Sequence, residues 1–255
     1  MSWTDRTVMI TGATAGFGTA IARRFAALGA RLVLCGRRTD RLAALAAELA
    51  PAPVHAAPLD VRDRAAIAAF VAGLPPAFAA IDLLVNNAGL ALGLDRADQA
   101  DPDDWDTMID TNLRGLVQVT RAVLPGMVAR DRGHIVNIGS VAGSHPYPGG
   151  NVYGATKAAV AQFSYNLQAD LVATRLRVTN IEPGLCGGSE FSQVRFHGDA
   201  GRAAQVYAGT EPLTAEDIAE TVVWAASQPP HVNIGRIELT PICQAPGGLV
   251  VHRRV

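Results

Sequence analysis

Tyr153 and Lys157 stand four residues apart, a spacing that puts a phenol and an ammonium on one face of a helix. A phenol with its ordinary pKa near ~10 is a poor base at neutral pH. A neighbouring ammonium favours the phenolate and lowers that pKa, so the pair can move a proton to and from an alcohol oxygen. Ser140 lies thirteen positions before Tyr153, just past an apolar run, and its hydroxyl can polarise a carbonyl. Asn86-Asn87-Ala88-Gly89 closes another apolar run with a polar turn on which a nicotinamide ribose could rest; its plainer reading is a capped turn. Asn112 falls inside a long helical pattern, where an amide is a poor helix former. It is either functional or a buried amide bonded to backbone.

A second group of residues suits an anion. The first apolar run ends in Thr11-Gly12-Ala13-Thr14-Ala15-Gly16-Phe17-Gly18, and an amphipathic pattern follows. Glycines there allow a tight strand-to-helix turn and close approach of a pyrophosphate, while the helix N-terminus offers N–H donors and partial positive charge. Gly12, Thr14, Ala15, Gly16, Phe17 and Gly18 are the candidate cradle. At the end of the second apolar run, where an acid would hold a ribose hydroxyl, the chain has Gly36-Arg37-Arg38. Two guanidinium groups suit a 2′-phosphate, so NADP(H) is the expected cofactor. Without the glycines upstream, Arg37 and Arg38 read as solvated residues ahead of a helix.

The elements that must position these groups follow from alternation of short apolar runs with longer amphipathic segments, the pattern of βαβ units. With 255 residues, 49% hydrophobic and 18% charged, the chain can cover both faces of a sheet. The expected fold is α/β: a doubly wound parallel sheet of the Rossmann type, seven strands flanked by helices on both faces, in one domain over 1–255. Strands are predicted at 7–10, 31–35, 54–58, 81–85, 134–138, 177–181 and 236–240. Helices are predicted at 39–49 behind a Thr-Asp cap, 65–73, 103–130, 153–173 and 214–228, besides the one after the glycine loop. The polar, Gly-containing stretch at about 184–213 has no clear period and is longer than a usual connector, which marks it as a substrate loop.

A formal net charge of −1 gives no long-range attraction to nucleic acid or an anionic membrane, so neither is expected as partner. Cys35, Cys186 and Cys243 are widely spaced, with no pattern for a disulfide framework or metal site, which suits a reducing cytoplasm. The N-terminus shows no export segment, and the Ala-rich stretch 65–85 is broken by Pro75, Pro76 and Asp82.

Taken together, the Thr-Gly-x-x-x-Gly-x-Gly loop, Asn-Asn-Ala-Gly, Asn112, Ser140 and Tyr153-x-x-x-Lys157, in this order and spacing, resemble the short-chain dehydrogenase/reductase family over essentially the whole chain. The resemblance implies that Tyr153 is the catalytic acid/base, that Lys157 lowers its pKa and holds the ribose, that Ser140 binds the reacting oxygen and that Asn112 anchors a relay water. It further implies cofactor contacts from Asn87, Ala88, Gly89, Asp60, Val61, Pro183 and Gly184, and a homotetramer built on the helices at 103–130 and 153–173. The stretches 86–93, 108–112, 120–128, 149–157 and 182–196 are similar to those of the NADP-dependent 3-hydroxy acid dehydrogenase subgroup, whose members act on L-serine, L-allo-threonine, 3-hydroxy acids and malonic semialdehyde. Departures are Cys186 and a tail running Gln244–Leu249.

Such a substrate needs a cation for its carboxylate near Ser140 and Tyr153. Arg195 is the candidate clamp, with Tyr147 and Gln244 as uncharged donors. The plainer reading of Arg195 is a loop residue paired with Glu190 or Asp199. A sulfonate would be held as readily, making a sulfoacetaldehyde reductase the runner-up. A non-catalytic NADPH-binding sensor is the alternative from another class.

Overall fold

The computed structural model describes residues 2–247, so Gly248 and Leu249 of the departing tail lie outside the described residues. The chain runs through β1 (Thr7–Thr11), α1 (Gly16–Ala27), β2 (Arg31–Gly36), α2 (Thr39–Glu48), β3 (Val54–Pro58), α3 (Arg64–Ala72) and β4 (Ile81–Asn86). It continues through α4 (Pro102–Met108), a π-helical segment (Ile109–Gly115), α5 (Leu116–Ala129), β5 (Gly133–Ile138), a 3-10 turn (Val141–Gly143), α6 (Asn151–Asp170) and β6 (Leu176–Pro183). The last described elements are α7 (Phe191–Arg195), α8 (Ala200–Gln205), α9 (Ala215–Ala226) and β7 (Arg236–Leu239).

All seven strands pair in parallel, in the order β3-β2-β1-β4-β5-β6-β7. β1, β4 and β5 are buried along their whole length because helices cover both faces, which is why they read as mainly apolar runs. Alternate strand residues serve opposite cores. Val8, Ile10, Leu32, Leu34, Leu83 and Val85 pack with Ile21 and Phe25 of α1, Leu42 of α2 and Val222 of α9. Met9, Val33, Cys35, Leu84 and Ile135 pack with Ile67 of α3, Val119 and Val123 of α5 and Leu167 of α6. Strand order reverses between β1 and β4, and the segments leaving their carboxyl ends diverge to open a crevice there.

The structure departs from the sequence reading at three places. The helix predicted over 103–130 is interrupted by a π-helical segment, which an apolar periodicity cannot register because it changes only the local winding. The stretch 184–213 holds α7 and α8, and its base is tied by a bridge between Cys186 and Leu213 and by Gly187 N donating to Leu213 O at 2.8 Å. α2 begins at Thr39 itself rather than behind it, with extended Arg38 at the cap position and no side-chain cap, because a guanidinium offers no acceptor to the first N–H groups of the helix. The Thr214 opening of α9 is a full capping box with Asp217. Among the described residues no helix is long and apolar enough to cross a membrane.

His134 lies inside β5, buried, with Nε2 2.8 Å from Thr179 Oγ1 and Nδ1 without a partner. Burial, then the Arg177 charge, holds its pKa well below the usual 6.5. The folded chain keeps this imidazole neutral, whereas the unfolded chain takes up a proton below 6.5. The unfolded state thus binds more protons there, so stability declines as pH falls below that value, by about 1 kcal/mol over the first unit. Denaturant unfolding at about pH 7 and about pH 5.5 is expected to show that His134→Asn removes this part of the decline. An equal decline in both chains would exclude His134 as its source.

Candidate active site

The cleft at the carboxyl ends of the strands has a volume of about 300 Å³. Its floor is the turn between β1 and α1. Gly12 takes φ +64, and a Cβ there would come within 2.9 Å of Ala88 Cα, so only glycine lets the two loops meet. α1 starts with no side-chain cap at Ala15, which leaves its first N–H groups directed at the cleft. Gly12, Thr14, Ala15, Gly16 and Phe17 line the cleft as expected, but Gly18 does not. A Cβ on Gly18 would sit 2.3 Å from Gly12 O, so this residue lets the helix close on the turn from behind. Asn87, Ala88 and Gly89 form the facing wall. The Asn87 amide donates to Thr11 O (2.9 Å) and Gly12 O (3.0 Å), while Thr11 Oγ1 accepts from Asn87 N and Ala88 N, both at 3.0 Å.

The two arginines after β2 differ. Arg37 is exposed at the cleft mouth and makes no hydrogen bond or ion pair among the described residues. Arg38 donates to Thr14 Oγ1 (3.2 Å) and Thr14 O (3.2 Å), and through Nη1 to Glu190 at 2.7 Å. Arg41, whose Nη1 donates to the same carboxylate at 2.9 Å, has no part in the sequence reading, and Glu190 enters it only as an alternative partner for Arg195. Charge alone gives no signal for them, since their positions are 149 residues apart. Asp60 and Val61 line the adjoining wall with Leu59, and the Arg62 guanidinium holds the Asp60 carboxyl below its usual range.

On the opposite side stand the groups able to do chemistry. Tyr153 and Lys157, on the buried face of α6, both line the cleft. Lys157 Nζ donates to Ile138 O at 2.8 Å and lies 5.8 Å from the centre of the Tyr153 ring. Burial lowers the Lys157 pKa to about 8. Burial also pushes the Tyr153 phenol up to about 12, against the pull of its hydrogen bond with Ser140 and of the Arg195 charge. The expected lowering by Lys157 alone is therefore not what the protein groups produce. Desolvation dominates, and the groups opposing it are Ser140 and Arg195.

Ser140 stands beside the cleft at the head of the 3-10 turn, its Oγ 3.4 Å from Pro183 O and accepting from Ala142 N. Pro183 is the last residue of β6, longer than predicted, and Gly184 N donates to Leu239 O at 2.8 Å. Neither Pro183 nor Gly184 reaches the cleft wall. Asn112, from the π-helical segment, is also set behind the wall: Nδ2 donates to Leu90 O (2.8 Å) and Thr156 Oγ1 (3.2 Å), and Oδ1 accepts from Leu90 N (2.8 Å). The buried-amide reading describes these bonds.

Arg195, at the end of α7, brings its guanidinium carbon 5.3 Å from the Tyr153 ring centre. Its Nη2 donates to Tyr147 OH at 2.6 Å, and its buried Nε has no partner. The expected alternative pairing is absent: Glu190 holds Arg38 and Arg41, and Asp199 accepts from Arg202 N at 3.0 Å as the cap of α8. Tyr147 is thus an acceptor for Arg195. Gln244 Oε1 accepts from Leu185 N at 2.6 Å and so fixes backbone at the base of 184–213. Among the described residues no group of three His, Cys, Asp or Glu side chains could hold a metal ion.

A family model described as short chain dehydrogenase matches residues 6–199. The chain belongs to the short chain dehydrogenase family. Within it, the NADP-dependent 3-hydroxy acid dehydrogenase YdfG of Escherichia coli (strain K12) is 58% identical over 247 residues, 97% of this chain and 99% of that protein. The sulfoacetaldehyde reductase of Chromohalobacter salexigens is 54% identical over 240 residues, 93% of this chain and 94% of that protein. The closed form of a serine dehydrogenase complexed with NADP⁺ matches this short chain dehydrogenase with a TM-score of 0.96 at 57% identity, covering 97% of this chain and 100% of that one.

Asn112 ties the π-helical segment to the loop after β4, so Asn112→Ala leaves both Leu90 backbone groups without these partners. It is expected to lower stability by about 1–3 kcal/mol, read by denaturant unfolding. A change within error would mean that the tie is dispensable.

Proposed function

We propose that this chain is an NADP-dependent oxidoreductase that interconverts a short 3-hydroxy acid, of the L-serine, L-allo-threonine or 3-hydroxypropionate kind, with its carbonyl form. The observation that carries the acid is Arg195, a guanidinium held over the Tyr153 ring, which among the described residues has no carboxylate partner and a buried, unbonded Nε. A cation in that setting favours an anion beside the group that moves the proton. The names of close relatives, a 3-hydroxy acid dehydrogenase and a serine dehydrogenase, support the same substrate class.

The cleft fits NADP(H). Gly12 leaves the room a Cβ would fill, the uncapped start of α1 suits the pyrophosphate, and unpaired Arg37 suits the 2′-phosphate. When bound, the cofactor supplies or accepts the hydride. Lys157 would hold the ribose, and Asp60 and Val61 would border the adenosine end. Ser140 donates to the reacting oxygen. Tyr153, whose burial keeps it protonated at neutral pH, donates its hydroxyl proton to that oxygen in reduction and takes it back in oxidation, where Ser140 and Arg195 favour the phenolate. The segment 184–213 closes over the substrate, with Tyr147 orienting Arg195.

A sulfonate fits the same cation, and the relative named sulfoacetaldehyde reductase favours that second reading. We further infer a homotetramer built on α4–α5 and α6, a reading supported by exposed apolar residues at Val128 and Tyr165. A cytoplasmic setting is supported by the free thiols Cys35, Cys186 and Cys243.

Absorbance assays of NADP⁺ reduction with L-serine, 3-hydroxypropionate and isethionate test the reading. Turnover of the first two supports it, isethionate alone promotes the sulfonate, and silence with all three despite NADPH binding restores the non-catalytic sensor. Tyr153→Phe is expected to lower kcat by roughly a hundredfold to ten-thousandfold. Arg195→Ala is expected to raise KM for acids by about tenfold or more while sparing an uncharged alcohol; equal losses for both overturn the clamp. Arg37→Ala is expected to weaken NADPH binding about tenfold without affecting NADH, measured by fluorescence titration.

A further inference from the structure

α7 carries a charged anchor at each end. Glu190, immediately before it, accepts from Arg38 at 2.7 Å and from Arg41 at 2.9 Å, both on the far side of the cleft. Arg195, its last residue, lies over Tyr153, and its backbone oxygen accepts from Gly93 N at 2.8 Å. Five helical residues separate the two ends by only about 7 Å, so movement at one end is passed to the other.

Glu190 calls for an explanation because a carboxylate at the mouth of an anion-binding cleft weakens the positive field there. Cofactor binding does not account for it. Arg41 sharpens the point: it does not line the cleft, and its side chain hydrogen-bonds only Glu190 among the described residues. Arg38 is held in place on its other edge by Thr14 of the glycine turn. The hydrogen bonds from Arg38 and Arg41 keep Glu190 below the usual carboxylate range, so it stays charged at neutral pH.

We propose that Glu190 is a positioning residue: by gripping Arg38 and Arg41 it fixes α7 across the cleft and thereby sets where Arg195 meets an anionic substrate. This rests on the reading of Arg195 as the partner of the substrate's acid group. The grip acts from the cofactor's adenosine end on the selection of substrate at the other end.

The test uses Glu190→Gln and Arg41→Gln in the full chain with saturating NADP⁺. Amide hydrogen exchange across 189–197 is expected to speed up by roughly threefold or more in both, and KM for the preferred hydroxy acid to rise roughly three- to tenfold, with kcat falling by less. Unchanged exchange in both variants overturns the grip. Faster exchange with unchanged KM, where Arg195→Ala does raise KM, overturns the positioning role. If Arg195→Ala leaves KM for acids untouched, the substrate reading fails on its own, and exchange still judges the grip. Adding Glu190→Gln to Arg195→Ala is expected to raise KM no further; an additional rise of the full size overturns the link between the two residues.

Discussion

The cleft depends on how backbone groups at the carboxyl ends of β1 and β4 are satisfied once the sheet stops pairing them. These strands are neighbours, yet the chain leaves them toward opposite faces. Side chains take over where the ladder ends. Thr11 accepts two N–H groups from the loop after β4, Asn87 returns two donors to the glycine turn, and Asn112 binds both backbone groups of Leu90. Three short polar residues thus keep the crevice open without leaving polar backbone bare.

The walls of that crevice are dry enough to change the chemistry of what they hold. Burial drives Lys157 down to about 8 and Tyr153 up to about 12, so each is pressed toward its neutral form. For Lys157, whose folded pKa lies below its ordinary 10.5, the unfolded chain binds more protons between those two values. Stability from this group therefore rises with pH across that window, and the cost of burying the ammonium is fully present below it. The Ile138 carbonyl offsets part of that cost. The buried ammonium stands 5.8 Å from the centre of the Tyr153 ring, a placement that costs stability below that window.

Most of the sheet was legible because the central strands, covered on both faces, are mainly apolar, and even the half-buried edge strand Val54–Pro58 was placed to the residue. Tyr153, Lys157, Ser140 and the glycine turn announced themselves through spacing. What the sequence hid was local winding and partnership. The π-helical segment preserves the same apolar face as an α-helix, so nothing in periodicity reveals it. α7 and α8 are too short to show a period at all. Glu190 stood in view as an alternative partner for Arg195, but which arginine a carboxylate chooses is decided by the fold, and it chose Arg38 and Arg41.

Arg38 has one further consequence. Its guanidinium is shared between the glycine turn through Thr14 and the helix over the substrate end through Glu190. Replacing it to admit a cofactor lacking the 2′-phosphate would remove a structural rivet along with a charge. If Glu190 sets the place of Arg195, redesign of cofactor preference at Arg38 has also to rebuild the hold on α7.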